Sequence, residues 1–125
     1  MDENDISYKI RGCVFNVYNV LGPGLLESVY QAALSFELNN AGLKIKTQVP
    51  IPAMYNEVKL DLGFRSDIIV EDKVLIEIKS VENIAEVHHK QVLTYLNLTG
   101  IKLGLLINFN TDTIDKSIFR KVNNL

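Results

Sequence analysis

The sequence predicts an α/β protein in which a central mixed β-sheet is flanked by α-helices. Three observations indicate this fold. Apolar residues recur at helical spacing from the N-terminus to about residue 42, and again from residue 83 to 98. Between these two segments, residues 43–80 have the composition of strands, and residues 103–109 form one more apolar run. With 125 residues and 47% hydrophobic content, the chain is expected to form one compact domain, residues 1–125.

Two helices are predicted before the first strand. Asp5 can cap the first helix, and Gly22-Pro23 ends it. Its apolar positions recur at helical spacing and are Ile6, Ile10, Val14, Val17 and Leu21. Gly24 opens the second helix, which stops near Gly42. Its predicted apolar face consists of Leu25, Leu26, Val29, Ala33 and Phe36.

The first predicted strand covers residues 43–49. Pro50 and Pro52 follow it, and they indicate a sheet edge or a bend, because proline donates no ladder hydrogen bond. A second strand-like run lies around residues 58–62. The remaining strands of this region form the hairpin described next.

Residues 64–70 and residues 74–79 form two strand-like runs. They are separated only by Glu71-Asp72-Lys73, which fits a three-residue hairpin loop. In the resulting register Asp67 faces Glu77, and like charges opposite each other are unfavourable. Side chains alternate between the two faces of a strand, so Lys79 lies on the same face as Glu77 and opposite Arg65. Two carboxylates and two cations are therefore predicted to share one side of the hairpin.

The C-terminal part of the chain predicts a third helix over residues 83–98, which Gly100 ends. Residues 103–109 are apolar enough to form a strand in the middle of the sheet. The tail from Thr111 is predicted to contain a short helix or turn and then a strand around residues 118–122.

Composition excludes several classes of protein. A formal net charge of −2 and a pI near 5.6 argue against a broad basic surface for nucleic acid. The single cysteine, Cys13, excludes an internal disulfide and a multi-cysteine iron–sulfur site. The acidic N-terminus is unlike a signal peptide, and no apolar run has the length of a membrane span. We therefore expect a cytoplasmic protein.

The segment Glu77-Ile78-Lys79 has the strongest functional signal, because it places a charged pair at the end of a strongly apolar strand. The pattern Glu-x-Lys occurs three times in this chain. Glu57-Val58-Lys59 and Glu71-Asp72-Lys73 lie in polar surroundings and are predicted to be solvated. Only the third is embedded among large aliphatic residues, where burying a charge needs a reason.

These residue types suit a hard divalent cation such as Mg²⁺ or Mn²⁺. Such a cation binds one or two carboxylates, here Asp67 and Glu77, and can add a backbone carbonyl such as that of Ile78 together with several waters. Lys79 could then orient or deprotonate an attacking water and neutralise charge on a phosphate. The pattern thus indicates hydrolysis by a metal-activated water, without a covalent nucleophile.

Several motifs occur in an order that resembles a known family. They are residues 21–30 (LGPGLLESVY), Asp67, Glu77-Ile78-Lys79, residues 87–96 (VHHKQVLTYL) and residues 103–109 (LGLLINF). In this combination the sequence resembles the PD-(D/E)xK nuclease superfamily, and in particular its small GxxExxR-type branch. The resemblance covers nearly the whole chain and implies a restriction-endonuclease-like core.

The resemblance also implies roles for individual residues. Asp67, Glu77 and Lys79 would form the core site, and Glu27 would be an additional acidic ligand. Gln91 and Tyr95 are similar to the Gln-x-x-x-Tyr element of RecB-like nucleases. The chain departs from the branch pattern at Tyr30, which stands where the branch has its arginine.

Alternative interpretations stay open for some of these residues. Glu27 lies in the first turn of a predicted helix, where the helix dipole alone favours a carboxylate. His88, Gln91 and Tyr95 can line one stripe of the third helix. Turned towards the hairpin, Gln91 and Tyr95 would support the site; otherwise Tyr95 is a core residue and His88 faces solvent.

The resulting hypothesis is a Mg²⁺- or Mn²⁺-dependent nuclease that hydrolyses phosphodiester bonds of nucleic acid, with DNA as the expected substrate. The alternative is a catalytically inactive module of the same fold that binds nucleic acid or a protein partner. A homodimer or a larger nucleic-acid-processing complex is compatible with both, and fold alone does not decide function.

Overall fold

The computed structural model describes residues 1–60 and 63–125. Two helices precede the strands along the chain, and further helical segments lie between them. The elements are α1 (Glu3–Leu21), α2 (Glu27–Asn40), β1 (Ile45–Pro50), β2 (Ala53–Tyr55), β3 (Val58–Leu60), β4 (Arg65–Val70), β5 (Val74–Lys79), α3 (Glu86–Thr99), β6 (Leu103–Asn108), a short 3₁₀ helix (Ile114–Lys116) and β7 (Ile118–Val122).

Five strands form the main sheet in the order β1-β4-β5-β6-β7. Strands β5 and β6 run parallel and are connected through α3, whereas the other neighbours are antiparallel. The predicted mixed sheet is therefore confirmed. Strand β1 lies at the sheet edge, as Pro50 indicates, and β6 lies between two partners and is buried along its whole length.

Helices cover both faces of this sheet. Ile68, Ile76 and Leu105 belong to the core that α1 and α2 cover. Their neighbours along the strands, such as Leu75 and Leu106, point to the other face and pack in the core that includes the apolar side of α3. Strand alternation thus divides the sheet between two cores. This α/β arrangement is consistent with a restriction-endonuclease-like core.

Helix α1 begins earlier than predicted, and its apolar stripe is confirmed. The N-cap is Asp2, whose carboxylate accepts the N–H of Asp5, while the Asp5 carboxylate accepts the N–H of Asp2. The prediction that Asp5 is the cap was wrong, because Asp5 occupies the third helical position of a reciprocal capping box. Gly22, with φ +65°, ends the helix as predicted.

The predicted packing face of α2 was wrong. The helix begins at Glu27, and its buried side chains are Tyr30, Leu34 and Leu38. Leu26 and Phe36 from the predicted face are 74% and 64% exposed. The true stripe is shifted by one residue, which rotates the helix by about 100°. Sequence reading favoured aliphatic positions and did not count Tyr30 as a core residue.

The β4–β5 hairpin has the predicted three-residue loop, in which Glu71 and Asp72 adopt positive φ. Its ladder pairs Val70 with Val74, and it ends two pairs later at Ile68 and Ile76.

The predicted position of Arg65 opposite Lys79 was wrong. The ladder between β4 and β5 ends before Arg65, which is exposed and pairs only on the other edge of its strand, with Pro50 of β1. The cause is a local opening between β4 and β5 beyond the last ladder pair, where carboxylate side chains take the place of backbone partners.

A small separate hairpin stands beside the main sheet. Strand β3 corresponds to the first part of the predicted run at 58–62, and residues 61 and 62 of that run lie outside the described residues. It pairs with β2, which the sequence did not reveal because a three-residue strand has no readable period. Asn56 and Glu57, both at positive φ, form the tight turn between them.

The C-terminal elements agree with the prediction. Helix α3 begins three residues later than expected and ends at Gly100, which adopts the left-handed conformation. The 3₁₀ helix and β7 occupy the predicted places in the tail. Among the described residues, no helix combines the length and the apolar character needed to cross a membrane.

Candidate metal and active site

Asp67 and Glu77 are joined directly where the hairpin ladder ends. The backbone N–H of Asp67 donates to Oε1 of Glu77 at 3.1 Å, and the N–H of Ile78 donates to Oδ2 of Asp67 at 2.7 Å. Each carboxylate therefore binds the backbone of the other strand. These bonds satisfy two buried N–H groups that the interrupted ladder leaves open. They also hold both acidic side chains at the same place.

The opening extends to the other side of β4. Ladder pairs with β1 flank the Asp67 position, at Thr47–Ile68 and at Val49–Ser66. Between them Gln48 adopts a φ of 49°, which is unusual for a residue other than glycine. Its side-chain Nε2 donates to Oδ1 of Asp67 at 3.4 Å. The backbone around Asp67 is thus adapted to bring side chains to this carboxylate.

The electrostatics of the pair are unfavourable without a cation. Glu77 is 3% exposed, and this burial, followed by the negative charge of Asp67, raises its pKa to about 8. Burial is also the main cause that raises the pKa of Asp67, and the charge of Glu27 adds to it. The positive charge of Lys79 lowers the pKa of both carboxyl groups but does not offset the burial.

Lys79 lies at the end of β5 and is half-buried. It is two residues after Glu77 and lies on the same face of the strand, as predicted. Ile78 lies between them and contributes its backbone N–H to Asp67 while its side chain enters the core. The Ile78 carbonyl as a metal ligand stays a prediction.

Glu27 stands at the edge of the site as the first residue of α2. It is exposed, and its Oε2 accepts the N–H of Ser80 at 3.3 Å. The Ser80 hydroxyl donates to the carbonyl of Leu25 at 2.6 Å. These bonds connect the start of α2 to the end of β5. The charge of Glu27 contributes to the raised pKa of Asp67. Its place in the first turn of α2 is also one that the helix dipole favours for a carboxylate, and its role as a metal ligand stays a prediction.

Tyr30 has a structural role at the position where the GxxExxR pattern has arginine. It is fully buried and stacks on Phe109 with ring centroids 4.3 Å apart. Its hydroxyl donates to the Gly22 carbonyl at 2.5 Å and accepts the N–H of Leu25 at 3.1 Å. Tyr30 thereby holds the turn that precedes Glu27.

The predicted stripe of α3 reaches the site through Tyr95. Tyr95 is 3% exposed, and its pKa is raised first by burial and then by the charge of Glu77. Its hydroxyl accepts a hydrogen bond from Nε2 of Gln91 at 2.9 Å. His88 has another task, since its Nδ1 accepts the N–H of Ala85 at the start of the helix, at 3.0 Å.

Sequence reasoning missed the glutamines beside Asp67. Nε2 of Gln48 also donates to Oε1 of Gln31 on α2, at 2.7 Å. This link joins residues separated by 17 positions, and neither side chain belongs to a motif. Because such contacts depend on how α2 and β1 pack, no local pattern could have revealed them.

The donor set suits a hard divalent cation. In residues 1–60 and 63–125, no group of three or more His, Cys, Asp or Glu side chains is arranged by itself as a metal site. Asp67 and Glu77 nevertheless provide two adjacent carboxyl groups whose pKa values are raised, mainly by burial, and the charge of Asp67 adds to the rise at Glu77. A cation held by both would replace repulsion by attraction, and Mg²⁺ commonly binds through only one or two carboxylates and retained waters.

Comparison with known protein families identifies the class. Residues 4–121 match the family model of the PD-(D/E)XK nuclease superfamily, and the chain therefore belongs to this superfamily. The resemblance found in the motifs is confirmed at this level, and the GxxExxR-type branch stays a prediction. No curated protein and no solved structure matches the chain. Nucleases of this superfamily generally use divalent metal ions, and membership indicates a nuclease-type function.

The raised pKa of Glu77 predicts how stability depends on pH in the metal-free protein. The folded state holds the Glu77 proton up to about pH 8, whereas an ordinary glutamate loses it near 4.5. The folded state thus binds more protons in this window, so the free energy of unfolding falls as pH rises. We expect ionisation of Glu77 to lower the free energy of unfolding by about 3 kcal/mol between about pH 5 and pH 7.5.

Urea unfolding of wild type and Glu77→Gln in EDTA at several pH values measures this effect. The difference between the two proteins isolates Glu77 from the other titrating groups. We expect the free energy of unfolding of Glu77→Gln to increase relative to that of the wild type as pH rises. Parallel pH profiles would show that Glu77 ionises normally in the folded protein.

Proposed function

We propose that this protein is a nuclease that uses Mg²⁺ or Mn²⁺ to hydrolyse phosphodiester bonds of nucleic acid, with DNA as the expected substrate. The observation that supports this best is the carboxylate pair. Asp67 and Glu77 are locked together by two side chain–backbone hydrogen bonds, and Lys79 lies beside them. Removing these acidic groups from water costs stability, which a metal-binding role explains.

The proposed ligands follow from the hydrogen bonds. Oδ2 of Asp67 accepts the backbone N–H of Ile78, and Oε1 of Glu77 accepts the backbone N–H of Asp67. We propose that the cation is held by Oε2 of Glu77 and by Oδ1 of Asp67, which among the described residues otherwise accepts only the long bond of 3.4 Å from Gln48. Glu27 and the carbonyl of Ile78 are proposed as further ligands, Glu27 through a water because its carboxylate is directed to Ser80.

The protein's own groups would orient the reaction. A bound divalent cation supplies a Lewis acid for the phosphate and lowers the pKa of a water. Lys79 positions the attacking water, whose oxygen bonds to phosphorus as the bond from phosphorus to the leaving oxygen breaks. The ammonium group of Lys79 also stabilises the negative charge that develops on the phosphate. Gln91 orients the hydroxyl of Tyr95, which lies close enough to Glu77 to feel the charge of its carboxylate.

A thermal melt tests metal binding without any substrate. Mg²⁺ or Mn²⁺ is expected to raise the melting temperature of the wild type. At ten times the dissociation constant, binding adds about 1.4 kcal/mol. For a protein of this size that corresponds to a rise of about 4–8 °C. Glu77→Gln should lose the response, because it removes a ligand charge.

Glu57→Gln is the matched control for this melt. Glu57 belongs to another Glu-x-Lys sequence, is exposed, and lies in the β2–β3 turn. Its removal changes net charge equally, so this variant should respond to the ions like the wild type. No shift of the wild-type melt up to tens of millimolar of either ion, with and without an oligonucleotide, would contradict the metal-dependent nuclease.

A catalytically inactive binding module is the second candidate. The absence of a three-residue ligand cluster from the described part of the chain and the net charge of −2 favour it. It would bind nucleic acid or a protein partner without cleaving. Incubation of labelled single- and double-stranded DNA and RNA with the protein and Mn²⁺ distinguishes the nuclease from the binding module. A nuclease shortens the labelled strands, and Glu77→Gln should not, whereas a binding module leaves them intact.

A further inference from the structure

An open, mostly apolar pocket of about 330 Å³ is lined by Tyr95 and other residues on the α3 side of the sheet. Residues of α3 and of the segment just before β4 line it, among them Phe64, Val87, His88, Lys90, Gln91 and Tyr95. We call this surface the aromatic pocket. It is apolar in an otherwise acidic protein, and its chemistry differs from that of the carboxylate pair.

Phe64 provides an accessible ring in this pocket. It is 39% exposed, and its ring centroid lies 6.1 Å from that of Tyr95 at an angle of 53°. Its backbone is held in place, because the Phe64 carbonyl accepts the N–H of Ile51 at 2.8 Å. A single exposed phenylalanine is ordinary on a protein surface. Here the ring is part of a concave apolar wall together with Val87, which is 65% exposed.

Tyr95 connects the aromatic pocket to the carboxylates. It lines the pocket, and its pKa is raised first by burial and then by the charge of Glu77. The pocket also lies on the face of the sheet to which Glu77 and Lys79 belong, since Leu75 of the same strand packs in the α3 core. A ligand in the pocket would therefore be adjacent to a phosphate held at the carboxylates.

We propose that the aromatic pocket binds one unpaired nucleobase of the substrate, next to the phosphate that is cleaved. Phe64 stacks on the base, and Lys90, exposed on the same part of α3, contacts the neighbouring backbone phosphate. This inference rests on the proposed nuclease function. It assigns the substrate class as single-stranded or locally unpaired nucleic acid, because a base inside a duplex has both faces covered by its neighbours.

The charge of the protein supports this choice of substrate. Binding to a duplex depends mainly on a broad surface of Lys and Arg that contacts many phosphates, and a net charge of −2 argues against such a surface. Stacking on an aromatic side chain contributes affinity that does not depend on a broad basic surface. An exposed ring beside the site therefore fits an unpaired strand better than a duplex.

Binding of a single-stranded oligonucleotide that contains 2-aminopurine tests the proposal. The experiment uses the full-length protein in Ca²⁺, with fluorescence anisotropy for affinity and 2-aminopurine quenching for stacking. We expect Phe64→Ala to weaken binding about tenfold and to remove the quenching. Phe64→Trp should restore both, whereas Phe64→Leu, which is apolar but has no aromatic face, should not.

Phe36→Ala is the matched control. Phe36 is an exposed phenylalanine on α2, which covers the opposite face of the sheet. This variant should bind and quench like the wild type. Phe64→Ala should keep the Mg²⁺ response in the melt, which shows that the fold and the metal site are intact.

The outcomes separate this proposal from the nuclease function. Metal-dependent cleavage with unchanged affinity in Phe64→Ala overturns the base pocket alone. Equal affinity in Phe64→Leu and wild type also overturns it, since the contact would then be apolar and not stacking. Phe64-dependent quenching without any cleavage supports the pocket and overturns the nuclease. Equal cleavage rates on paired and single-stranded substrates of the same sequence contradict the assigned substrate class.

Discussion

Glu77→Gln is expected to lower Mg²⁺-dependent cleavage by at least about three orders of magnitude. A bound metal ion stabilises the transition state by several kcal/mol, and each 1.4 kcal/mol or so corresponds to a factor of about ten in rate. Glutamine keeps the shape of the side chain but removes the charge that holds the ion. Asp67→Asn should have the same effect. Single-turnover cleavage of a labelled oligonucleotide at saturating Mg²⁺ measures the loss.

The same variants should stay folded. An amide oxygen can still accept the N–H of Asp67 or of Ile78, so the contacts between β4 and β5 persist. Each variant also removes a carboxyl group whose ionisation is opposed by burial. Without metal, we therefore expect a free energy of unfolding at neutral pH equal to that of the wild type or higher, by up to about 3 kcal/mol for Glu77→Gln. Circular dichroism and urea unfolding at neutral pH provide the measurement.

Loss of folding would change the interpretation of the pair. If either amide variant unfolds, the carboxylates are needed for the structure of the hairpin, and their placement no longer argues for a metal. Glu57→Gln serves again as the control, because it removes an exposed carboxylate outside the site. It should cleave at the wild-type rate.

Lys79→Ala should slow cleavage about a hundredfold or more while affinity for nucleic acid in Ca²⁺ changes little. Lys79 lies beside the carboxylates at the end of β5, and its charge lowers the pKa of both. We assign its main effect to the attacking water and to charge that develops only in the transition state. Pre-steady-state rates and anisotropy titrations on the same oligonucleotide separate the two quantities.

A parallel loss of rate and affinity would assign Lys79 to substrate binding and would contradict the proposed mechanism. Lys73→Ala is a suitable control, since Lys73 is an exposed lysine in the loop at the opposite end of the hairpin. Its removal tests whether a general change in charge reduces affinity. We expect both its rate and its affinity to match the wild type.

The hairpin was predictable from sequence because its determinants are local. Two apolar runs and a three-residue loop allow one register, and the structure confirms the pairing up to Ile68 and Ile76. The next positions, Asp67 and Glu77, do lie together, but through side chain–backbone bonds. Counting residues along a regular ladder could not reveal this switch from backbone to side-chain hydrogen bonds. The predicted position of Arg65 was therefore wrong.

The packing face of α2 could not be predicted for a related reason. A helix with apolar residues around most of its circumference permits more than one buried stripe. The choice of Tyr30, Leu34 and Leu38 depends on a stacking partner, Phe109, far away in the chain. The hydroxyl of Tyr30 also needs the turn at Gly22, which forms only once α1 ends there.

The sequence by itself determined the fold class and the identity of the charged residues that meet in the sheet. Hydrophobic periodicity and turn chemistry act over a few residues, and they are sufficient to place Asp67, Glu77 and Lys79 on one hairpin. Only the tertiary structure decided the surroundings of this hairpin. It turned Glu27 towards Ser80, brought Gln48 to Asp67, and placed Tyr95 with its aromatic pocket beside Glu77. These contacts arise from packing between elements that are distant in sequence, and no local pattern encodes such packing.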